Sequence, residues 1–132
     1  MYKCNPGADI SGTGSLTILE FPPMYLVERF GRPSATRDGR VSGIYVFTTD
    51  RGETFTVYDL RRTGARRGKG PDISKTDAFW QSEEPAFLYV GGKQGSNPRP
   101  FVRWLIGESE LRMTRRHPTW DHRGPSRQFI VA

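Results

Sequence analysis

The residues of this 132-residue chain best suited to chemistry are cationic. Arg61, Arg62, Arg66, Arg67 and Lys69 follow one another with no acid between them, and Arg112, Arg115, Arg116, Arg123 and Arg127 are opposed only by Asp121. The first group contributes +5 and the second +4, so within a total of +6 the rest of the chain is net acidic at −3. Basic character confined to one loop and one tail is the pattern of a site for an anionic partner. Arginine far outnumbers lysine, and its planar fork engages two phosphate oxygens at once. Trp80, Tyr89, Trp104 and Trp120 offer faces on which bases stack, although some rings must build the core and Trp104 belongs there. A second cradle is Gly91-Gly92-Lys93-Gln94-Gly95-Ser96, a turn from strand into helix whose N–H groups would hold one phosphate or carboxylate. It lacks the GxxxxGK[ST] spacing of nucleotide hydrolases. The plainer readings, solvated loops and a turn using Gly for its angles, compete with both.

Other chemistries fare worse. His117, Asp121 and His122 cluster near the C-terminus, but a zinc site needs about four convergent nitrogen or sulfur ligands in a recognisable spacing. No metal and no cofactor are therefore expected. Cys4 is the sole cysteine, sits in a Gly/Pro-rich stretch without a neighbouring His, and excludes an internal disulfide framework. No serine stands in a Gly-x-Ser-x-Gly context. Glu83-Glu84 and Glu108/Glu110 are paired acids of the kind usually found solvated. Tyr58-Asp59 fits best as a strand-end Asp accepting backbone N–H groups, with the Tyr ring packed in the core. An enzyme is not expected.

The elements that must position these residues begin with Val41–Leu60. Two runs rich in β-branched and aromatic residues flank Asp50-Arg51-Gly52, which reads as a hairpin with Gly where φ is positive. Both faces carry apolar groups, so helix should cover one and other parts of the chain the second. Residues 1–14 read as an irregular arm, Ser15–Glu20 as a strand, and Pro23–Phe30 as a helix started by Pro and stopped by Gly31 and Pro33. The segment 61–71 has no apolar periodicity. Asp72–Ser82 contains a short helix capped by Ser74 with Asp77 at the capping-box position, anchored by Phe79 and Trp80. Ala86–Val90 is a strand closed by Gly91-Gly92, and Asn97–Ile106 a helix ended by Gly107. Glu108–Met113 is a short strand or helical turn, and Gln128–Val131 adds to a sheet edge.

Sixteen aromatics, fifteen Gly and ten Pro describe a loop-rich single domain whose core relies on large rings. The expected architecture is α+β: a small antiparallel sheet built on the central hairpin, two helices on one face, a basic loop at 61–71, and an irregular extension over 108–132. No apolar run approaches the ~20 residues that span a bilayer.

Within this order, Phe30-Gly31-Arg32-Pro33, the hairpin ending Thr56-Val57-Tyr58-Asp59-Leu60, and Leu88-Tyr89-Val90-Gly91-Gly92-Lys93 form a recognisable set. The chain resembles a family of very small bacteriophage proteins. These carry a helix ending in Phe-Gly-x-Pro, a hairpin ending in Tyr-Asp, and a Trp-His-Ile-Gly-Gly strand. The last signature is degenerate here, lacking its Trp and His. The resemblance covers roughly residues 15–62 and 86–106, and implies a viral origin and a fold but no activity.

The expected function is a non-enzymatic phage accessory protein, active in the host cytoplasm, that sequesters an anionic nucleotide-like ligand to counter host defence. Its contacts would be Arg61, Arg62, Arg66 and Arg67, with Gly91, Gly92 and Lys93 as secondary donors, Arg115 and Arg116 from the tail, and Trp80 or Tyr89 stacking. A homo-oligomer with pockets between protomers would suit that role. The alternative is an inhibitor of a host defence complex, such as a CRISPR-type nuclease, acting through nucleic acid or protein.

Overall fold

Thr49 and Glu53 close the central hairpin. Thr49 N–H donates to Glu53 O at 3.0 Å, Glu53 N–H to Thr49 Oγ1 at 3.1 Å, and Gly52 takes φ 83° between them. These belong to a computed structural model that describes residues 1–36, 40–60, 78–116 and 130–131, with side chains through residue 110. The described elements are β1 (Lys3–Cys4), β2 (Thr13–Phe21), α1 (Pro23–Phe30), β3 (Ile44–Thr48), β4 (Thr54–Tyr58), β5 (Ala86–Lys93), α2 (Arg99–Arg116) and β6 (Ile130–Val131). The strands form one antiparallel sheet in the order β1-β3-β4-β5-β2-β6. The fold is α+β, as expected.

Strand alternation divides the sheet into two unequal faces. Tyr45 pairs with Val57 and Phe47 with Phe55, and Val90 and Leu88 continue the same face across β5 to Leu19. All of these side chains are buried. Both helices press on this face: Phe30 of α1 lies 5.1 Å from Phe47, and Phe101 of α2 stacks on Phe55 at 4.8 Å with rings 5° apart. The opposite face carries Ile44, Val46, Thr56, Tyr58, Tyr89 and Phe87. There Phe87 is 60% exposed, while Tyr58 and Tyr89 stack on one another at 5.8 Å.

α1 has the expected bounds. Pro22 and Pro23 start it, and Gly31 at φ 84° ends it, returning its N–H to Val27 O at 2.8 Å. Three other expectations are corrected. Residues 1–14 are not without regular structure, because Lys3 and Cys4 pair with Thr48 and Phe47 and β2 already begins at Thr13. Tyr2 follows them in, wedged between Phe55, Phe101 and Trp104 at 5.3–6.0 Å. Gly107 does not end α2, which runs on to Arg116 and so absorbs the 108–113 segment. Tertiary packing explains the run-through: Ser109 is fully buried and donates to Leu105 O at 2.8 Å, and Glu108 pairs with Arg29 of α1 at 2.6 Å. A mid-helix glycine costs about 1 kcal/mol, which these contacts offset.

The third correction concerns Gly91 and Gly92. They lie inside β5, paired with Thr56 and Phe55 on one side and Ser15 and Gly14 on the other. The turn follows later, at Gly95, where Ser96 N–H donates to Lys93 O at 3.0 Å. A Cβ on Gly92 would stand 2.8 Å from Leu16 Cδ1 and 3.2 Å from the Phe55 ring, and one on Gly91 would meet Thr56 Oγ1 and the Gly14 backbone. β2 shifts register between Ser15 and Thr17, and Leu16 packs into the space that a Cβ on Gly92 would fill. The expected terminal strand is present as β6, pairing with Ile18 and Leu19 at the β2 edge.

Candidate functional site

Asp59 leaves β4 with its side chain 3% exposed, and what surrounds it is the best-built polar cluster among the described residues. Its Oδ1 accepts the backbone N–H of Ser42 at 2.8 Å and of Gly43 at 3.1 Å, and its Oδ2 accepts the Ser42 hydroxyl at 2.5 Å. Trp80 Nε1 then donates to Ser42 Oγ at 3.0 Å. The expected role of a strand-end Asp is met, since ionised acceptors of backbone N–H groups make strong bonds. Tyr58, by contrast, is half-buried on the opposite face, where burial raises its phenol pKa against the opposing bond from Ser15.

A cavity of about 400 Å³ opens beside this cluster, lined by Val27 of α1, Arg32 and Pro33 after it, Ala35, Ser42, Trp80 and Gln81. Its size falls in the ordinary range for small-molecule pockets, and its mixture of apolar wall and few polar groups is theirs too. Gly43 makes the geometry possible. A Cβ there would lie 2.6 Å from Pro33 Cγ and 3.2 Å from Trp80 Nε1, so any larger residue would force the two rings apart. Tyr45 supports the Trp80 ring edge-on at 5.7 Å and donates its hydroxyl to Gly31 O at 2.6 Å. Burial pushes its phenol pKa far above the ordinary value.

The expected contact residues do not all meet here. Arg61, Arg62, Arg66 and Arg67 lie outside the described residues, as do Lys69, His117, Trp120, Asp121, His122 and the Ser74–Asp77 cap. The ends of the 61–77 segment are described, however. The chain leaves at Leu60, beside Asp59, and residues 78–80 return as a helical turn bearing Trp80. Asp59 and Trp80 hold the same Ser42 hydroxyl. The described residues flanking 61–77 are therefore linked through Ser42 beside the cavity.

Trp80 is 5% exposed and forms a wall of the cavity instead of an open stacking platform. Tyr89 is on the other face of the sheet, against Tyr58, so the two rings cannot share one ligand. Lys93 stands at the far end of β5, four residues beyond the Tyr58–Tyr89 pair and roughly 13 Å along the strand. The Gly91 and Gly92 backbone is committed to strand pairing, and the first turn of α2 is served by Asn97, whose Oδ1 accepts Arg99 N–H at 3.1 Å. The backbone of Gly91 and Gly92 thus serves the sheet, and the turn of the expected cradle is confined to residues 93–96. Arg115 and Arg116 are the last two residues of α2.

Arg32, Pro33, Ser42 and Gln81 were not singled out as site residues. The Phe30-Gly31-Arg32-Pro33 motif marked two of them, but as a chain signature. Their convergence depends on the Asp59–Ser42 bonds across 17 residues of sequence, which no local spacing reveals.

No protein-family model matches the chain, and no curated protein matches it. Among the described residues no three His, Cys, Asp or Glu side chains converge as metal ligands, and no helix is long and apolar enough to cross a membrane.

Proposed function

We propose that this protein is a non-enzymatic accessory protein, of phage origin and directed against host defence, that sequesters an anionic nucleotide-like ligand. The observation that carries the reading is the cavity beside Ser42, which links the described residues on either side of the 61–77 segment. The apolar part of a ligand would occupy the space between Val27, Pro33 and Trp80. Its phosphates would face Arg32 at the rim and be met by Arg61, Arg62, Arg66 and Arg67, whose bidentate geometry suits them. The phage assignment draws on the resemblance at Phe30-Gly31-Arg32-Pro33 and Tyr58-Asp59.

The second reading, an inhibitor that binds nucleic acid or a host protein, draws on Phe87, which projects 60% exposed beside the Tyr58–Tyr89 stack. Thermal melting at roughly physiological salt, with cyclic nucleotides, ADP-ribose-type molecules and short oligonucleotides, separates the two. A small nucleotide at ~100 times its Kd adds about 2.7 kcal/mol of stability, and that rise is the expected result. A response to oligonucleotides alone, fading as salt increases, would favour the second reading, and silence throughout would favour a protein partner.

A further inference from the structure

Ser42 faces the cavity with its hydrogen-bonding directions unequally committed. A hydroxyl has one donor and two acceptor directions. The Asp59 carboxylate only accepts and the Trp80 indole N–H only donates, so both bonds have a fixed sense. The Ser42 proton goes to Asp59 Oδ2 and one lone pair receives Trp80 Nε1–H. What remains for a bound molecule is one acceptor lone pair and no proton. The carboxylate behind the hydroxyl polarises that lone pair and strengthens it as an acceptor. Around it the walls are Val27, Pro33, Ala35 and the Trp80 ring, with Arg32 and Gln81 completing the lining; an apolar wall against an aromatic ring accommodates a heterocycle.

We propose that the cavity selects a planar heterocycle carrying an exocyclic amino group over one presenting a carbonyl there, and that Ser42 is the discriminating residue. The proposal rests on the nucleotide-sequestering reading and deepens it by naming the base. An amino group donates to the free lone pair. A carbonyl would set acceptor against acceptor and leave both without a proton.

Uncharged nucleosides test this without any contribution from phosphate. Adenosine against inosine, and cytidine against uridine, are titrated calorimetrically into the whole protein, with the corresponding monophosphates alongside. The expected result is roughly tenfold tighter binding of the amino member of a pair. In Ser42→Ala, checked for a cooperative melt, the two members should bind alike, while Ser42→Thr should keep the preference. Equal or tighter binding of the oxo member, or a preference that survives Ser42→Ala, would overturn the proposal. Nucleosides that fail while monophosphates bind would overturn it too, yet leave anion capture standing. Failure of both series would remove both.

Discussion

Asp59 shows how one side chain decides local structure. It holds the backbone of Ser42 and Gly43 and the Ser42 hydroxyl, and through that hydroxyl it fixes Trp80. Replacing it with Ala leaves a buried N–H at Gly43, a partly buried one at Ser42 and a hydroxyl without this acceptor, and bonds to a charged group are worth ~1.5–3 kcal/mol each. Because water and relaxation recover part of that, Asp59→Ala should cost about 3 kcal/mol in urea unfolding. Loss of under about 1 kcal/mol would mean the cluster does not organise the cavity. The Asp59 role was legible from its place at a strand end after Tyr58. Its partners were not, since Ser42 and Gly43 lie in a polar stretch with no periodicity to mark them.

At the scale of elements, the hairpin and α1 were legible because local and tertiary preferences agree there. β-branched runs meet a Gly turn in the hairpin, and paired prolines meet a Gly stop around α1. Legibility failed where packing overrode a local signal. Gly91-Gly92 resembles a turn but serves as space for Leu16 and Thr56, and Gly107 resembles a stop but lies within α2. Residues 1–14 were misread because two residues of strand carry no pattern of their own, and what holds them is a distant aromatic cluster. Gly107 is exposed, and a Cβ there would meet nothing within 4 Å. Gly107→Ala should therefore raise stability by about 0.5–1 kcal/mol, seen as a higher melting temperature. A lower one would contradict the continuous helix. Among the expected contact residues, Trp80 lines the cavity, whereas the sheet register places Tyr89 on the opposite face and Lys93 at the far end of β5.

The whole molecule is bound together by rings, and its pH response follows from them. Tyr2, Tyr25, Tyr45 and Tyr58 all have phenol pKa values raised from the ordinary 10.0, chiefly by burial. The folded state thus holds these protons more tightly than the unfolded chain. Their contribution is complete below about pH 10 and is lost as pH rises through the folded values. Melting temperature should accordingly fall above pH 10, and fall less in Tyr45→Phe relative to its own neutral-pH value. An unchanged alkaline slope in that variant would contradict the burial assignment. On the same scale, charge is segregated: the chain outside its two basic segments is net acidic, and the positive charge that the proposed anion capture needs is concentrated in those segments. The most direct measurement compares Arg66→Ala/Arg67→Ala with the unaltered protein, melting each with and without the small nucleotide that stabilises the latter. We predict equal melting temperatures without nucleotide and loss of the nucleotide-induced rise in the double variant. A full rise in that variant would contradict the account.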